Sequence, residues 1–290
     1  MPCTLCPRRC SVDRSRGEVG FCGMDNRIKI ARAALHFWEE PCISGKNGSG
    51  AVFFSGCNLR CVFCQNYEIS TCRKGKYVTE DELADIFIDL QGQGAHNINL
   101  VTGTHFVPQI AAALGIAKKN GLNIPIVYNC GGYEDMSGIQ EDFADIYLPD
   151  FKYYNNKYAI KYSSARNYCE TAKAAIAEMV KRVGPAQFDN DGIMQKGVIV
   201  RHLMLPGLLF DSKKIIDYLY NTYGNKIWIS IMNQYTPLKQ VKKFPELDRQ
   251  IGKEYYESLV GYAEKIGVEN AFIQEGGTVS ESFIPEFYGE

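Results

Sequence analysis

What most constrains this chain is a rhythm that begins at residue 51: a short apolar run, a polar tip, then an amphipathic helix. Residues 51–54 end at Ser55-Gly56, 98–101 at Thr102-Gly103-Thr104-His105, and 124–128 at Asn129-Cys130-Gly131-Gly132. Residues 146–148 end at Pro149-Asp150-Phe151-Lys152, 227–232 at Asn233-Gln234-Tyr235 and 271–273 at Gln274-Glu275, while 198–205 carries Arg201 and ends at Pro206-Gly207. Between them lie helical patterns. Thr79-Glu80-Asp81-Glu82 reads as a capping box opening a helix with Leu83, Ile86, Phe87 and Leu90 on one face. A second helix follows through Ile110, Ala113, Leu114 and Ala117, and a third spans 172–183. Strands alternating with helices predict an α/β fold with a parallel sheet. No dinucleotide fingerprint follows the first strand, which argues against a doubly wound sheet. The expectation is a partial (β/α)6 TIM-type barrel over 51–290, with the polar strand ends gathered on one face where active sites lie.

On the first of those tips sits Cys57-Asn58-Leu59-Arg60-Cys61-Val62-Phe63-Cys64. Three thiolates spaced x3 and x2 on one loop can close around a single iron–sulfur cluster, which usually takes four thiolate ligands. With three supplied locally, one iron stays open to a small molecule. The bland alternatives are a structural zinc site, which wants a fourth local ligand, and scattered reduced thiols.

This motif, with aromatic Phe63 before its last cysteine, resembles the signature of the radical SAM superfamily. The wider string from Phe53 to Cys61 resembles the branch containing the pyruvate formate-lyase-activating enzymes, and the whole chain an uncharacterised subgroup with an N-terminal Cys cluster. The resemblance implies a [4Fe–4S] cluster on Cys57, Cys61 and Cys64, and S-adenosylmethionine on its open iron. It implies reductive cleavage of that molecule to a 5'-deoxyadenosyl radical that abstracts hydrogen, the radical chemistry belonging to the cofactor. It also implies the open (β/α)6 barrel, a flavodoxin- or ferredoxin-type electron donor, and as substrate a glycine in a partner glycyl-radical enzyme or another protein or peptide. Residue by residue, Phe63 matches a position beside the adenine. Asp150 and Lys152 match an Asp-x-Lys near the methionine carboxylate and a bound monovalent cation, and Arg201 an arginine on that carboxylate. Asn129 stands where the family has Asp at the cation site. The Gly-Gly-Glu of the second strand end is replaced by Thr102-Gly103-Thr104, so the backbone of Gly103 and Thr104 would receive the methionine amino group without the acid. Gln234 stands where many activating enzymes have histidine.

Residues 1–50 differ in character. Cys3-x2-Cys6-x3-Cys10 followed by Cys22, among Pro7, Gly17, Gly20 and Gly23, predicts a small Cys-rich knuckle on a zinc ion or an auxiliary cluster, or else free thiols at a mobile terminus. Cys42 could join either cysteine group or neither. Asn47-Gly48 is a hairpin signal leading into the first strand. The start lacks the charged-then-apolar order of a secretory signal, and no apolar run approaches the ~18 residues of a membrane span. Eleven cysteines without an export signal point to metal or redox work in a reducing, anaerobic cytoplasm. A net charge of -1 exerts no general pull on nucleic acid or anionic lipid.

His36 and His96 read as surface or packing residues, whereas His105 and His202 fall near the presumed active face. The run from Lys152-Tyr153-Tyr154 to Arg166-Asn167-Tyr168 interleaves bases with aromatics, a pattern that can clamp RNA but more simply reads as a tyrosine-rich loop entering a helix. Radical modification of RNA or a small metabolite, and a non-catalytic metal-binding scaffold, remain as alternatives to an activase.

Overall fold

A computed structural model describes residues 2–274 together with 287 and 288; the strand-end tip expected at Gln274-Glu275 reaches one residue, Glu275, outside them. In chain order the strands are β1 (Ile28–His36), β2 (Ser49–Phe54), β3 (Lys76–Val78), β4 (Ile98–Val101), β5 (Ile126–Cys130), β6 (Ile146–Pro149), β7 (Gln187–Phe188), β8 (Met194–Leu203), β9 (Trp228–Met232) and β10 (Ala271–Ile273). The helices are α1 (Pro41–Ser44), α2 (Tyr67–Ser70), α3 (Glu80–Gly92), α4 (Val107–Lys119), α5 (Asn156–Ser163), α6 (Tyr168–Val183), α7 (Leu209–Tyr223) and α8 (Lys253–Lys265).

Strands β2, β4, β5, β6, β8, β9 and β10 run parallel and adjacent in that order. This is the expected α/β architecture, a mostly parallel sheet of the partial-barrel kind. A parallel neighbour needs a crossover, and the helices between strands supply it. The capping box at α3 forms as expected: Thr79 Oγ1 accepts from the Glu82 amide at 3.2 Å and Glu82 Oε2 from the Thr79 amide at 2.7 Å. The same helix buries Leu83, Phe87 and Leu90 against the sheet.

Alternation along each strand divides two interiors. Val52, Phe54, Ile98, Leu100, Ile126, Tyr128, Val198, Val200, Ile229 and Ile231 join the core beneath the helices. Strand residues of the opposite parity turn to the other face, where Val127, Ile146, Leu148 and Ile199 form an apolar plug with Cys42, Ile43 and Met194. Above that plug the same face carries Asn99, Asn129, Arg201 and Ser230. Because side chains alternate with period two, a one-residue slip would send every one of these polar groups into the helical core.

The sheet extends further toward the N-terminus than the apolar rhythm indicated. β1 pairs antiparallel with β2, Ala33 opposite Val52 and His36 opposite Ser49, and β3 adds beyond it. Residues 28–36 thus belong to the sheet rather than to the cysteine knuckle. Asn47-Gly48 turns the chain into β2, but the connection from β1 is long and contains α1, not a two-residue hairpin. Cys42, on α1, packs into the apolar plug and joins neither cysteine group. Among the described residues no helix is long and apolar enough to cross a membrane.

The N-terminal segment is braced on the loop after β2. Arg8 Nε donates to Asn58 O at 2.8 Å and its guanidinium lies 3.7 Å over the Phe21 ring, while Arg60 donates to Phe21 O. Gly56 takes φ 84°, and a Cβ there would lie 2.5 Å from Met24 Cγ and 2.8 Å from Cys22 O. Only glycine lets the two segments meet so closely.

Candidate functional site

The C-terminal ends of the parallel strands open onto a cavity of about 230 Å³. Cys57, Cys61, Cys64 and Phe63 from the loop after β2 line it, with Asn129, Asp150, Lys152, Arg201 and Gln234 from the later strand ends. Alternation on the strands and a shared sheet end explain why residues so distant in sequence meet.

All three thiols are free of disulfides. The Leu59 amide donates to Cys57 Sγ at 3.4 Å, the Ser163 hydroxyl to Cys61 Sγ at 3.0 Å, and Ser70 Oγ lies 3.3 Å from Cys64 Sγ. Burial pushes all three up, Cys64 to about 11, and charge on one thiolate raises its neighbours, while Lys152 counters the rise. A cationic metal centre would reverse this balance and take the thiolates. Three cysteines on one wall, each sulfur within reach of a polar group, are the donor type that iron–sulfur clusters take.

Opposite them stands a chain of charge. Lys152 Nζ lies 2.5 Å from Asp150 Oδ2, and Arg201 Nε 3.2 Å from Asp150 Oδ1. Burial alone would raise the Asp150 carboxyl, but Lys152 and Arg201 hold it below its ordinary value. The same burial would lower Lys152 and Arg201, and the facing carboxylates raise both instead. Tyr168 fixes the geometry. Its hydroxyl oxygen accepts the Lys152 amide at 2.9 Å and reaches the carbonyls of Gly131 at 2.9 Å and Asp150 at 3.0 Å. Gly132 lets the two strand ends touch, since a Cβ there would sit 2.1 Å from Asp150 O.

Other sequence candidates fall elsewhere. Thr102 lines the cavity, whereas Gly103 and Thr104 do not; the Gly103 α-carbon faces Ile110 and Phe54, and Thr104 Oγ1 donates to Glu134 at 3.0 Å. His105 and His202 are both buried and turned to structural partners: His105 to Ser55 O at 2.7 Å, His202 to Phe151 O and Ser212 Oγ at 2.8 and 2.9 Å. Burial drives them down to about 3 and about 4, so both are neutral. Of the tyrosine run, Tyr153, Tyr162 and Tyr168 are core residues, not a stacking platform.

Cys6 and Cys22 are buried and Cys3 and Cys10 half-buried, none in a disulfide. The Phe21 amide donates to Cys10 Sγ at 3.3 Å; burial first raises Cys6 and Cys22, followed by charge on Glu134 and Cys10 for Cys6 and on Cys10 and Cys3 for Cys22. Among the described residues no three His, Cys, Asp or Glu side chains are placed around a single metal ion.

Among the cavity-wall residues that sequence reasoning missed are His36, Trp38 and Glu39, delivered by the end of β1 and the residues that follow it. Glu39 Oε2 lies 3.1 Å from Arg201 Nη1, and Glu39 Oε1 accepts the side-chain amides of Asn99 at 3.1 Å and Asn129 at 3.3 Å. It missed Glu134 as well. This buried acid accepts from Thr104 and Tyr128 at 3.0 Å each, and burial pushes it up to about 8. Two adjacent acids immediately before Pro41 were the signal available for Glu39.

A parallel α/β barrel with three thiols and an Asp–Lys–Arg cluster at its C-terminal mouth defines a class, and comparison with known proteins agrees. The model of the radical SAM superfamily matches residues 51–218, more than half the chain. The chain belongs to that superfamily, and membership implies a [4Fe–4S] cluster and S-adenosylmethionine. Over 280 residues it is 31% identical to the uncharacterized protein MJ0674 of Methanocaldococcus jannaschii, covering 92% of this chain and 75% of that protein. Among solved structures, Streptococcus suis SuiB bound to S-adenosylmethionine superposes with a TM-score of 0.52 at 13% identity, over 77% of this chain and 49% of SuiB. SuiB bound to precursor peptide SuiA gives 0.50 at 10% identity, over 77% and 47%. At such identities the likeness is one of fold, and the chain spans about half the length of SuiB.

Proposed function

We propose that this protein holds a [4Fe–4S] cluster on Cys57, Cys61 and Cys64 and cleaves S-adenosylmethionine reductively to abstract hydrogen from a peptide or protein. The observation that carries the reading is the meeting of three disulfide-free thiols and the Lys152–Asp150–Arg201 chain in one strand-end cavity. When bound at these thiols, a [4Fe–4S] cluster would supply the electron for reductive cleavage of S-adenosylmethionine. The protein's own residues bind and orient. Lys152 and Arg201 offer the positive charge for a methionine carboxylate, and Asp150 keeps both cations in place. Phe63, wedged between the Tyr153 and Tyr235 rings, presents an apolar surface to the adenine. Asn129 and Gln234 add amides to the wall, and the Thr102 backbone takes the place expected of Gly103 and Thr104.

A peptide or protein substrate is supported by a fold neighbour that was captured with a precursor peptide. The glycine of a glycyl-radical enzyme is one such substrate, with a flavodoxin or ferredoxin as donor, in a reducing cytoplasm. Cys3, Cys6, Cys10 and Cys22 are proposed to take a second metal, and a monovalent cation would sit by Asp150. Anaerobic reconstitution with iron, sulfide, dithionite and S-adenosylmethionine is expected to release 5'-deoxyadenosine. Cys61→Ala should abolish release and the low-temperature EPR signal of the reduced cluster. An intact cluster that releases none refutes the reading, and iron and zinc counts on Cys6→Ser decide the second metal.

A further inference from the structure

The last turn of α5 sits directly behind the cysteine loop, and backbone bonds fix it there. The amides on either side of Cys61 donate to it, Arg60 N to Ser163 O at 3.1 Å and Val62 N to Tyr162 O at 2.8 Å. This anchorage brings the Ser163 hydroxyl to 3.0 Å from Cys61 Sγ, closer than the polar contacts at Cys64 and Cys57, 3.3 and 3.4 Å. Tyr153 stands behind the serine, its hydroxyl 2.7 Å from Ser163 Oγ. Both residues are fully buried, and neither lines the cavity.

Counting protons gives this chain a direction. A metal-bound thiolate has no proton to offer, so Ser163 spends its single proton on Cys61 Sγ. Ser163 Oγ can then only accept, and the Tyr153 hydroxyl donates to it. Burial pushes the Tyr153 phenol well above its ordinary value, so the hydroxyl keeps the proton this role requires. The Tyr153 ring is held edge-on by Phe63 and Tyr168, at centroid distances of 6.4 and 5.5 Å. Hydrogen bonds in series polarise one another, most of all where water is excluded. A donor on a thiolate sulfur favours the form that carries more negative charge there, which for a cluster is the reduced one.

We propose that the hydroxyls of Tyr153 and Ser163 form a two-step relay that holds a proton against Cys61 Sγ and raises the reduction potential of a cluster bound there. Both are positioning residues acting through Cys61, and their effect is to let a milder electron donor suffice. The inference rests on the reading of Cys61 as a cluster ligand, and it concerns a potential rather than turnover.

The test is an EPR-monitored redox titration of the anaerobically reconstituted full chain without S-adenosylmethionine, one electron entering each cluster from dithionite. Ser163→Ala is expected to lower the equilibrium constant for reduction about tenfold, a fall of about 59 mV for a one-electron couple. Tyr153→Phe, which leaves the serine bond in place, should lower it about threefold. The double variant should match Ser163→Ala, since Tyr153 acts only through the serine. Iron counts and urea melts on the same preparations separate a lost cluster or a loosened fold from a shifted potential. Where Ser163→Ala does not fold or assemble, Tyr153→Phe decides by the same titration. A folded, iron-replete variant with the wild-type potential overturns the proposal, and so do additive shifts in the double variant. A wild-type chain that assembles no cluster sinks both this relay and the proposed function. An intact cluster that titrates as expected but releases no 5'-deoxyadenosine sinks the proposed function alone.

Discussion

Asp150→Asn is the substitution whose effect can be worked most closely from the geometry. It keeps the side-chain shape and removes a negative charge that two buried cations share, Lys152 at 2.5 Å and Arg201 at 3.2 Å. Removing one member of a buried ion pair costs about 3–5 kcal/mol, because the partner stays buried and uncompensated. Two features here reduce that figure. The side chains of Asp150 and Lys152 keep 16% and 17% of their exposure, and Arg201 retains Glu39 at 3.1 Å. The expected loss is therefore about 2–3 kcal/mol, or roughly 4–10 °C in Tm for a chain of this size. Asp150→Asn with Lys152→Met should recover part of it, since the stranded ammonium is gone. The pH dependence has a definite sign. The folded carboxyl lies below its ordinary value, so its contribution is present above the unfolded carboxylate range and is lost as pH falls through the folded value. Urea unfolding of wild type, both single variants and the double variant at pH 7, repeated as the pH is lowered, measures all three quantities. A single variant as stable as wild type, or a double variant less stable than Asp150→Asn, would refute the assignment of this cluster as one coupled unit.

Glu134 should behave in the opposite sense. Its folded value, pushed up to about 8 by burial, exceeds the unfolded one, so its stabilisation is complete below the unfolded carboxylate range and fades as pH rises toward 8. Glu134→Gln is expected to flatten that fall and to gain on wild type at pH 9 in urea melts. Thr79→Ala removes the side-chain half of the α3 capping box, the hydroxyl that accepts the Glu82 amide, and should cost about 1 kcal/mol by the same assay, with no change in cofactor content. Phe87→Ala, on the buried face of the same helix, should cost about 3–5 kcal/mol and lower the yield of folded protein.

The sequence by itself determined the β/α rhythm and the cysteine loop, because both are local. Period-two apolar runs, a capping box from Thr79 to Glu82 and three thiols within eight residues impose their geometry wherever they occur. It also put Asp150 and Lys152 at a strand end, since an apolar run must stop where its polar tip begins, and Arg201 within the run 198–205. What only the tertiary structure decided was which strand-end residues share a wall. His105 and His202 stand near the active face in sequence, yet the short helical turn after β4 aims the first at Ser55 and alternation on β8 aims the second at Phe151 and Ser212. Glu39 runs the other way. Nothing in its neighbourhood of the chain announces Arg201, which lies 162 residues on, and the two meet because β1 folds back antiparallel on β2. That pairing is a long-range choice of strand edge and register, made by the whole sheet at once, and no local pattern encodes it.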